Sequence, residues 1–177
     1  MNNALYFICY SLFQSMLEII YGADNPILRK KSVPVKTIDK KLVKYIKEMK
    51  VAMKKAKGVG LAAPQVGNNI RLALVTINKK VMPIINPEII SKSEEIELGE
   101  EGCLSLPGVW GKVNRHKAIT LKYQDEKGDE KILKLKDFNA RVVQHEIDHL
   151  DGILFIDYLE KSEEVLGVAK NVEMENM

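Results

Sequence analysis

Apolar side chains recur every three to four residues between Asp39 and Ala56. They are Leu42, Ile46, Met49, Met53 and Ala56. This spacing places them on one face of an α-helix. Asp39 suits the N-cap position, the lysines near the other end suit the negative pole of the helix dipole, and Gly58 follows where helices commonly end. The pattern therefore predicts an amphipathic helix over 39–56.

Short β-branched or alternating segments follow, separated by turns rich in Asn, Gly, Pro and charged residues. They predict strands at 70–77, 84–90, 94–99, 118–124 and 130–136. The turn sequence at 125–129 predicts a hairpin, because strands joined by short connections pair antiparallel. A second helix is predicted from Phe138 to Asp151, ended by Gly152. This order of elements predicts an α+β fold with antiparallel β-sheets rather than alternating βαβ units.

The composition is that of an ordinary globular chain. Of its 177 residues, 46% are hydrophobic and 29% are charged, and this length suits one compact domain. The two cysteines, Cys9 and Cys103, are too few for a disulfide-stapled secreted scaffold. We therefore expect a protein of a reducing compartment such as the cytoplasm. The formal net charge of +3 is too small to indicate nucleic-acid binding, so we expect no DNA partner.

Basic residues concentrate between Arg29 and Lys57, where the acidic residues are Asp39 and Glu48. Most of these basic residues should lie on the first predicted helix, where they form a lysine-rich face: Lys40, Lys41, Lys44, Lys47, Lys50, Lys54 and Lys55. A solvated helix face is the simpler interpretation of this charge. The alternative is contact with an acidic partner such as RNA, which would allow a transient contact with the ribosome.

The two ends of the chain differ in character from the rest. Residues 4–13 form an apolar run, but roughly 18 such residues are needed to span a bilayer. No Lys or Arg precedes the run and no small-x-small cleavage site follows it, so we expect neither export nor a membrane anchor. We interpret residues 1–15 as an N-terminal extension, with Met16 as the native start. At the other end we expect a flexible tail over 166–177.

His145 and His149 stand four residues apart on the second predicted helix. Their imidazoles therefore share one face and can bind one metal ion. Glu146 completes a His-Glu-x-x-His sequence, in which the glutamate can act as a general base on a metal-bound water. The alternative is a chance pair of histidines, with Glu146 and Asp148 simply solvated.

Catalytic sites of this type usually have three protein ligands and one open position. No histidine follows His149, so the third ligand must be another residue type. The sequence leaves these candidates open: Asp151, Asp157, Glu160 and Cys103. A lone cysteine in apolar surroundings is more often an inert core residue.

Residues 58–65, Gly-Val-Gly-Leu-Ala-Ala-Pro-Gln, directly follow the first predicted helix. Gly58 and Gly60 permit close backbone approach, and Gln65 supplies an amide side chain. The segment lacks the third glycine of a dinucleotide-binding motif and the Gly-Lys-Ser/Thr of a P-loop. Phosphate binding is therefore disfavoured.

Three segments taken together resemble the peptide deformylase family. They are residues 58–65, Glu-Gly-Cys-Leu-Ser at 101–105 and Gln-His-Glu-Ile-Asp-His-Leu at 144–150. The similarity extends from about Met16 to Tyr158 and predicts a deformylase domain over 16–165. It implies antiparallel sheets packed around a central metal-binding helix. It also implies a metal-dependent hydrolase that removes the N-formyl group from the initiator methionine of nascent polypeptides and releases formate. We expect a monomer.

By this resemblance, Cys103, His145 and His149 would bind one divalent metal ion. A thiolate and two imidazoles suit Fe(II), Zn, Ni or Co, and the resemblance favours Fe(II) as the native ion. Glu101 and Arg115 match a pair that would support the ligands rather than react.

The resemblance also implies the catalytic and substrate-binding residues. Glu146 would take a proton from the attacking water and deliver it to the departing amine. The Gln65 side-chain amide and the Leu104 backbone N–H would stabilise negative charge on the formyl oxygen. The peptide and its methionine side chain would be bound by Val59, Gly60, Gly102, Phe138 and Val142. Trp110 is a further candidate for contact with the peptide. Arg141 should turn outward or meet a carboxylate, because a lone charge is unfavourable in an apolar pocket.

Two other functions share some of these features. A small zincin-like peptidase would share the His-Glu-x-x-His helix but would need neither Cys103 nor Gln65. A noncatalytic metal-stabilised module that binds nascent chains or ribosomal RNA would use the lysine-rich helix face, and Glu146 would be dispensable for it.

Overall fold

The computed structural model describes residues 17–159 of the chain. The expected extension at 1–15, the start at Met16 and the tail at 166–177 lie outside these residues. The described part is α+β, as predicted. Its elements are α1 (Lys40–Lys55), β1 (Gly60–Ala62), a 3-10 helix (Ala63–Val66), β2 (Leu72–Ile77), β3 (Lys80–Lys92), β4 (Ile96–Cys103), β5 (Leu106–His116), β6 (Ala118–Gln124), β7 (Glu130–Lys136), α2 (Asp137–Asp151) and α3 (Ile156–Leu159).

The strands form two separate antiparallel sheets. In the five-stranded sheet, neighbouring strands are hydrogen-bonded in the order β1-β2-β3-β6-β7. The other sheet is the two-stranded β4–β5 hairpin. Within residues 17–159 the hairpin shares no strand pairing with the larger sheet, so contacts with other elements must hold it in place.

The first predicted helix is confirmed as α1. The Asp39 carboxylate caps it by accepting a hydrogen bond from the backbone N–H of Leu42 at 2.9 Å. Its apolar face is buried at Ile46, Met49 and Met53, as the spacing predicts. These residues form one core cluster with β1 and β2.

Both strands of the predicted hairpin begin and end where expected. Residues 118–124 and 130–136 are β6 and β7, and the Asp125 carboxylate accepts hydrogen bonds from the backbone N–H groups of Lys127 and Asp129 in the turn. β2 begins at Leu72 rather than at residue 70. β3 is longer than the predicted 84–90, because its pairing with β2 begins at Lys80 and its pairing with β6 continues to Lys92.

The sequence pattern fails at the β4–β5 hairpin. β4 continues to Cys103 instead of ending at residue 99, and no strand is predicted where β5 lies. Pro107, Gly108 and Gly111 interrupt the alternation of β5, which is why its pattern does not indicate a strand. β1 is also missed, since three residues are too few to show a period.

α2 is the central helix of the fold. Its residues Val143 and Leu150 pack in one core cluster with Val75 and Leu121 of the five-stranded sheet. The helix ends at Gly152, whose φ of 76° is left-handed and therefore favours glycine. No helix within residues 17–159 is long and apolar enough to cross a membrane.

Candidate active site

The segment after α1 carries Gln65 into the interior. Its side-chain oxygen accepts a hydrogen bond from the backbone N–H of Ala62 at 2.8 Å, and this bond fixes the orientation of the amide. Nε2 then donates toward the Ser105 hydroxyl at 3.2 Å and the Cys103 sulfur at 3.5 Å. The chain thus holds one side-chain N–H donor beside Cys103.

Cys103 lies at the end of β4, where a turn leads into β5. Its sulfur accepts a hydrogen bond from the backbone N–H of Ser105 at 3.4 Å and lies 3.2 Å from Nε2 of His149. Leu104 occupies the turn between them and faces the same cleft. The sulfur is therefore directed at the helix rather than at solvent.

α2 presents both histidines to this sulfur. Cys103 Sγ, one ring nitrogen of His145 and one of His149 all lie within 4.8 Å of one another. The structure therefore brings together the three ligands that the resemblance implies. Two of the other candidates are engaged elsewhere, because Asp151 and Asp157 form ion pairs with arginines at 2.7 and 2.6 Å. Glu160 lies outside the described residues.

The donor set fits a divalent transition metal. Burial, together with the nearby His145, lowers the pKa of His149 well below its usual value, so this ring is neutral. The neutral imidazole is the form that binds metals. One sulfur and two nitrogen donors match the preferences of Fe, Zn, Co and Ni. These three residues can therefore hold one ion.

Glu101 lies behind His145 and is held by two arginines. Its carboxylate is 2.9 Å from His145 Nδ1 and accepts two hydrogen bonds from Arg115, at 2.9 and 3.0 Å, and one from Arg141 at 2.9 Å. Burial favours the neutral acid, but the hydrogen bonds from His145 and Arg115 outweigh it and lower the pKa of Glu101 to about 2. Glu101 is thus a permanent anion that orients His145. Arg141 meets a carboxylate, as expected.

Glu146 is buried beside the ligands, with 4% of its surface exposed. Its Oε2 has no hydrogen-bond partner within residues 17–159. Burial raises the pKa of Glu146 to about 7, although His145 opposes this shift. A Cβ on Gly60 would overlap this carboxylate, so the loop approaches Glu146 only because residue 60 is glycine. The alternative in which Glu146 and Asp148 are solvated is wrong, since Asp148 contacts the Arg115 guanidinium.

A cleft of about 700 Å³ opens over Cys103, His145 and Glu146. All five residues expected to bind the substrate line it: Val59, Gly60, Gly102, Phe138 and Val142. Phe138 and Trp110 stand at the rim and are 60% and 58% exposed. Trp110 covers Gly102, because a Cβ there would lie 2.9 Å from its ring. The cleft thus joins apolar walls to the cluster of polar side chains.

Some residues of the site escaped the sequence analysis. Ser105 contacts both Gln65 and Cys103, and Asp148 pairs with Arg115. Both lie inside the motifs at 101–105 and 144–150, so their position was a usable signal. The backbone contacts of Arg141 had no such signal, because they depend on how α2 crosses the hairpin.

Comparison with known proteins agrees with this geometry. The family model for polypeptide deformylase matches residues 16–165. The peptide deformylase of Pseudothermotoga lettingae is 46% identical over 147 residues, which cover 83% of this chain and 85% of that protein.

Solved structures give the same result. The crystal structure of peptide deformylase from Thermotoga maritima has a TM-score of 0.79 and 42% identity, covering 82% of this chain and 98% of that one. A Met-Ala-Ser-bound class I type b peptide deformylase from Acinetobacter baumannii has a TM-score of 0.78 and 34% identity, covering 82% and 99%. These matches leave no support for a zincin-like peptidase or a noncatalytic module. The chain belongs to the polypeptide deformylase family, and it is a hydrolase that removes the N-formyl group from nascent peptides.

Proposed function

We propose that Cys103, His145 and His149 hold one divalent metal ion, with Fe(II) as the native ion and Zn, Ni or Co as substitutes. The observation that carries the proposal is the convergence of their three ligand atoms within 4.8 Å. An ion bound there would supply Lewis-acid activation of water and polarisation of the formyl oxygen. Everything else in the reaction falls to side chains and backbone groups of this chain.

Glu146 is the general base and then the general acid. Its carboxylate is buried and Oε2 has no partner within the described residues, so this oxygen is free to receive a proton. A pKa of about 7 suits both directions of transfer near neutral pH. Glu146 takes the proton of the attacking water and delivers it to the amine that leaves, while the formyl carbon departs as formate.

Gln65 and Leu104 stabilise the charge that develops on the formyl oxygen. The Ala62 N–H holds the Gln65 amide so that Nε2 faces Cys103. A donor fixed in this way needs no reorientation during the reaction, which is the basis of oxyanion stabilisation. The Leu104 backbone N–H belongs to the turn on the other side of the sulfur and would be the second donor.

The methionine side chain enters the apolar part of the cleft. Val59 and Phe138 form its rim, and Val142, which is buried on α2 one turn before His145, lines its inner wall. The peptide backbone extends between the loop containing Gly60 and the strand containing Gly102, in the manner of an added strand. The tripeptide Met-Ala-Ser bound to the Acinetobacter relative supports a peptide ligand for this cleft. Glu101 and Arg115 keep His145 in place and do not react.

The remaining proposals concern the setting of the reaction. The catalytic domain would span 16–165, preceded by an extension at 1–15 and followed by a tail at 166–177. The substrate is a nascent N-formylmethionyl polypeptide, and the enzyme would work as a monomer in the bacterial cytoplasm. The lysine-rich face of α1 is available for a transient contact with the ribosome.

Formate release from a formyl-Met-Ala-Ser peptide tests the proposed site. Protein loaded anaerobically with Fe(II) or Ni(II) should release formate rapidly, and Cys103→Ser should lose both the metal and the activity. The matched control is the same peptide with an acetyl group, which should release no acid at a comparable rate. Full metal content and activity in Cys103→Ser would refute the ligand set.

A further inference from the structure

The proposed ligands come from two different elements of the fold. Cys103 is the last residue of β4 in the β4–β5 hairpin, whereas His145 and His149 lie on α2. The hairpin is separate from the five-stranded sheet that α2 packs against. The distance from the Cys103 sulfur to the ring nitrogens of the two histidines therefore depends on the contacts that hold the hairpin against the helix.

Arg141 makes such a connection one turn before His145. Its guanidinium donates to the backbone carbonyls of Glu97 at 2.7 Å and Gly99 at 3.1 Å, both on β4. It also donates to the carbonyl of Val113 at 2.8 Å, on β5. With only 7% of its surface exposed, Arg141 bonds both strands of the hairpin from the interior.

The Arg141 guanidinium packs directly against the backbone of Gly99, in the space that a side chain would need. A Cβ on Gly99 would lie 2.7 Å from Cζ and Nη2 of Arg141 and 2.9 Å from Nε. The backbone of Gly99 is not left-handed, so the obstacle to alanine there is the guanidinium, which would have to shift. The hairpin and the helix thus approach each other closely at this contact.

We propose that Arg141 is a positioning residue that clamps the β4–β5 hairpin onto α2, and that this clamp keeps the metal in its site by fixing Cys103 against His145 and His149. The inference rests on the ligand set of the proposed function. It assigns to Arg141 no contact with the reacting atoms.

Pairing with the Glu101 carboxylate does not by itself explain why an arginine occupies position 141. Arg115 already donates to both carboxylate oxygens of Glu101, through Nε and Nη2. The additional bonds of Arg141 go to backbone carbonyls, which a planar guanidinium with several fixed donors can reach together. A lysine ammonium is a point charge on a flexible stem and cannot span both strands.

Two measurements on cobalt-loaded protein test the clamp: the rate of metal transfer to an excess of chelator, and the absorption bands of the Co(II)–thiolate centre. We expect Arg141→Met to release cobalt about 10- to 100-fold faster, the range typical of lost supporting contacts, and to alter the bands. Arg141→Lys should remain impaired. Release at the wild-type rate in Arg141→Met, or full recovery in Arg141→Lys, would overturn the proposal.

Arg71→Met is the matched control. Arg71 also pairs with an α2 carboxylate, Asp151 at 2.7 Å, and bonds the carbonyl of Pro87, but these contacts tie the helix to the region of β3 and not to the hairpin. It should release cobalt within about twofold of wild type, the scale of a substitution away from the site. Equal acceleration in both arginine variants would show a general loss of stability and refute a specific clamp.

Gly99→Ala keeps the proposal testable if Arg141→Met does not fold. It leaves the arginine present but pushes its guanidinium away, so cobalt release should again be faster. In a Gly99→Ala/Arg141→Met double variant, the alanine should add little, because its effect acts through the guanidinium. Additive effects would contradict this. Both readouts are independent of formate release, so failure of the clamp and failure of the proposed reaction are distinguishable.

Discussion

Glu146, the proposed general base, shows how a residue suited to catalysis can oppose folding. The carboxylate is buried without a hydrogen-bond partner for Oε2 within the described residues, and burial raises its pKa to about 7. A folded-state pKa above the unfolded value of 4.5 means that the stability associated with this group is fully present below pH 4.5 and is lost as the pH rises through 7. Above neutral pH the charged carboxylate therefore destabilises the fold.

Glu146→Gln should make the metal-free protein more stable at pH 8 and inactive when metal is restored. The neutral amide avoids burying a charge, and the gain in unfolding free energy is up to about 3 kcal/mol. Urea unfolding of metal-free protein at several pH values measures it. The difference in unfolding free energy between Glu146→Gln and wild type should shrink as the pH falls through 7 and vanish below about 4.5. A constant gap across this range would contradict a raised pKa.

Gln65→Leu should reduce kcat/KM about 100- to 1000-fold, the usual loss for one oxyanion donor. Ser105→Ala is a useful comparison, because it removes one acceptor of the Gln65 amide but leaves the bond from Ala62 that orients it. The decrease in kcat/KM for Ser105→Ala should be clearly smaller than for Gln65→Leu. Steady-state formate release by both variants at equal metal content gives the comparison, and activity of Gln65→Leu within twofold of wild type would remove Gln65 from the mechanism.

Among the helices and strands, those whose ends are marked by caps, turns or a periodic apolar face could be predicted from the sequence. α1 has a capping residue and a periodic apolar face, and β6 and β7 flank a turn of five polar and glycine residues, so their ends follow from nearby sequence. β5 was not predictable in this way. Its inward positions include Gly111 and Arg115, and these are compatible with a buried strand only because Glu101 and Asp148 lie opposite the arginine.

Gly60→Ala should lower kcat about 100-fold, the scale expected for a displacement of about 1 Å at a reacting group. The added Cβ would overlap the Glu146 carboxylate where β1 meets α2, so this carboxylate must move. Single-turnover kinetics at matched metal content measure the effect, and circular dichroism checks that the fold is retained. An unchanged kcat would show that Glu146 has room that the structure does not indicate.

At the scale of the whole molecule, the site assembles from three distant segments. The motifs at 58–65, 101–105 and 144–150 indicated which side chains belong together, since their combination resembles one family. The sequence did not reveal Arg141 as a link between the hairpin and α2. That link depends on the crossing of two elements, and no spacing along the chain records it.

Metal removal should lower the melting temperature of the whole domain. An ion that binds only the folded site stabilises it by about 2.7 kcal/mol at a hundredfold excess over Kd, which corresponds to roughly 5–10 °C for a chain of this size. Thermal melts of chelated and reloaded protein measure the shift. Cys103→Ser should lose most of it, and an equal shift in that variant would place the ion elsewhere.

The proposed reaction is tested by comparing wild type with Glu146→Ala at the same measured metal content. Both are assayed for formate release from formyl-Met-Ala-Ser under anaerobic conditions. Rapid release by wild type and near-complete loss in the variant are predicted, because the ion remains while the proton acceptor is gone. Retention of release in the metallated variant would contradict the role of Glu146, and no release from fully metallated wild type would contradict the proposed site as a whole.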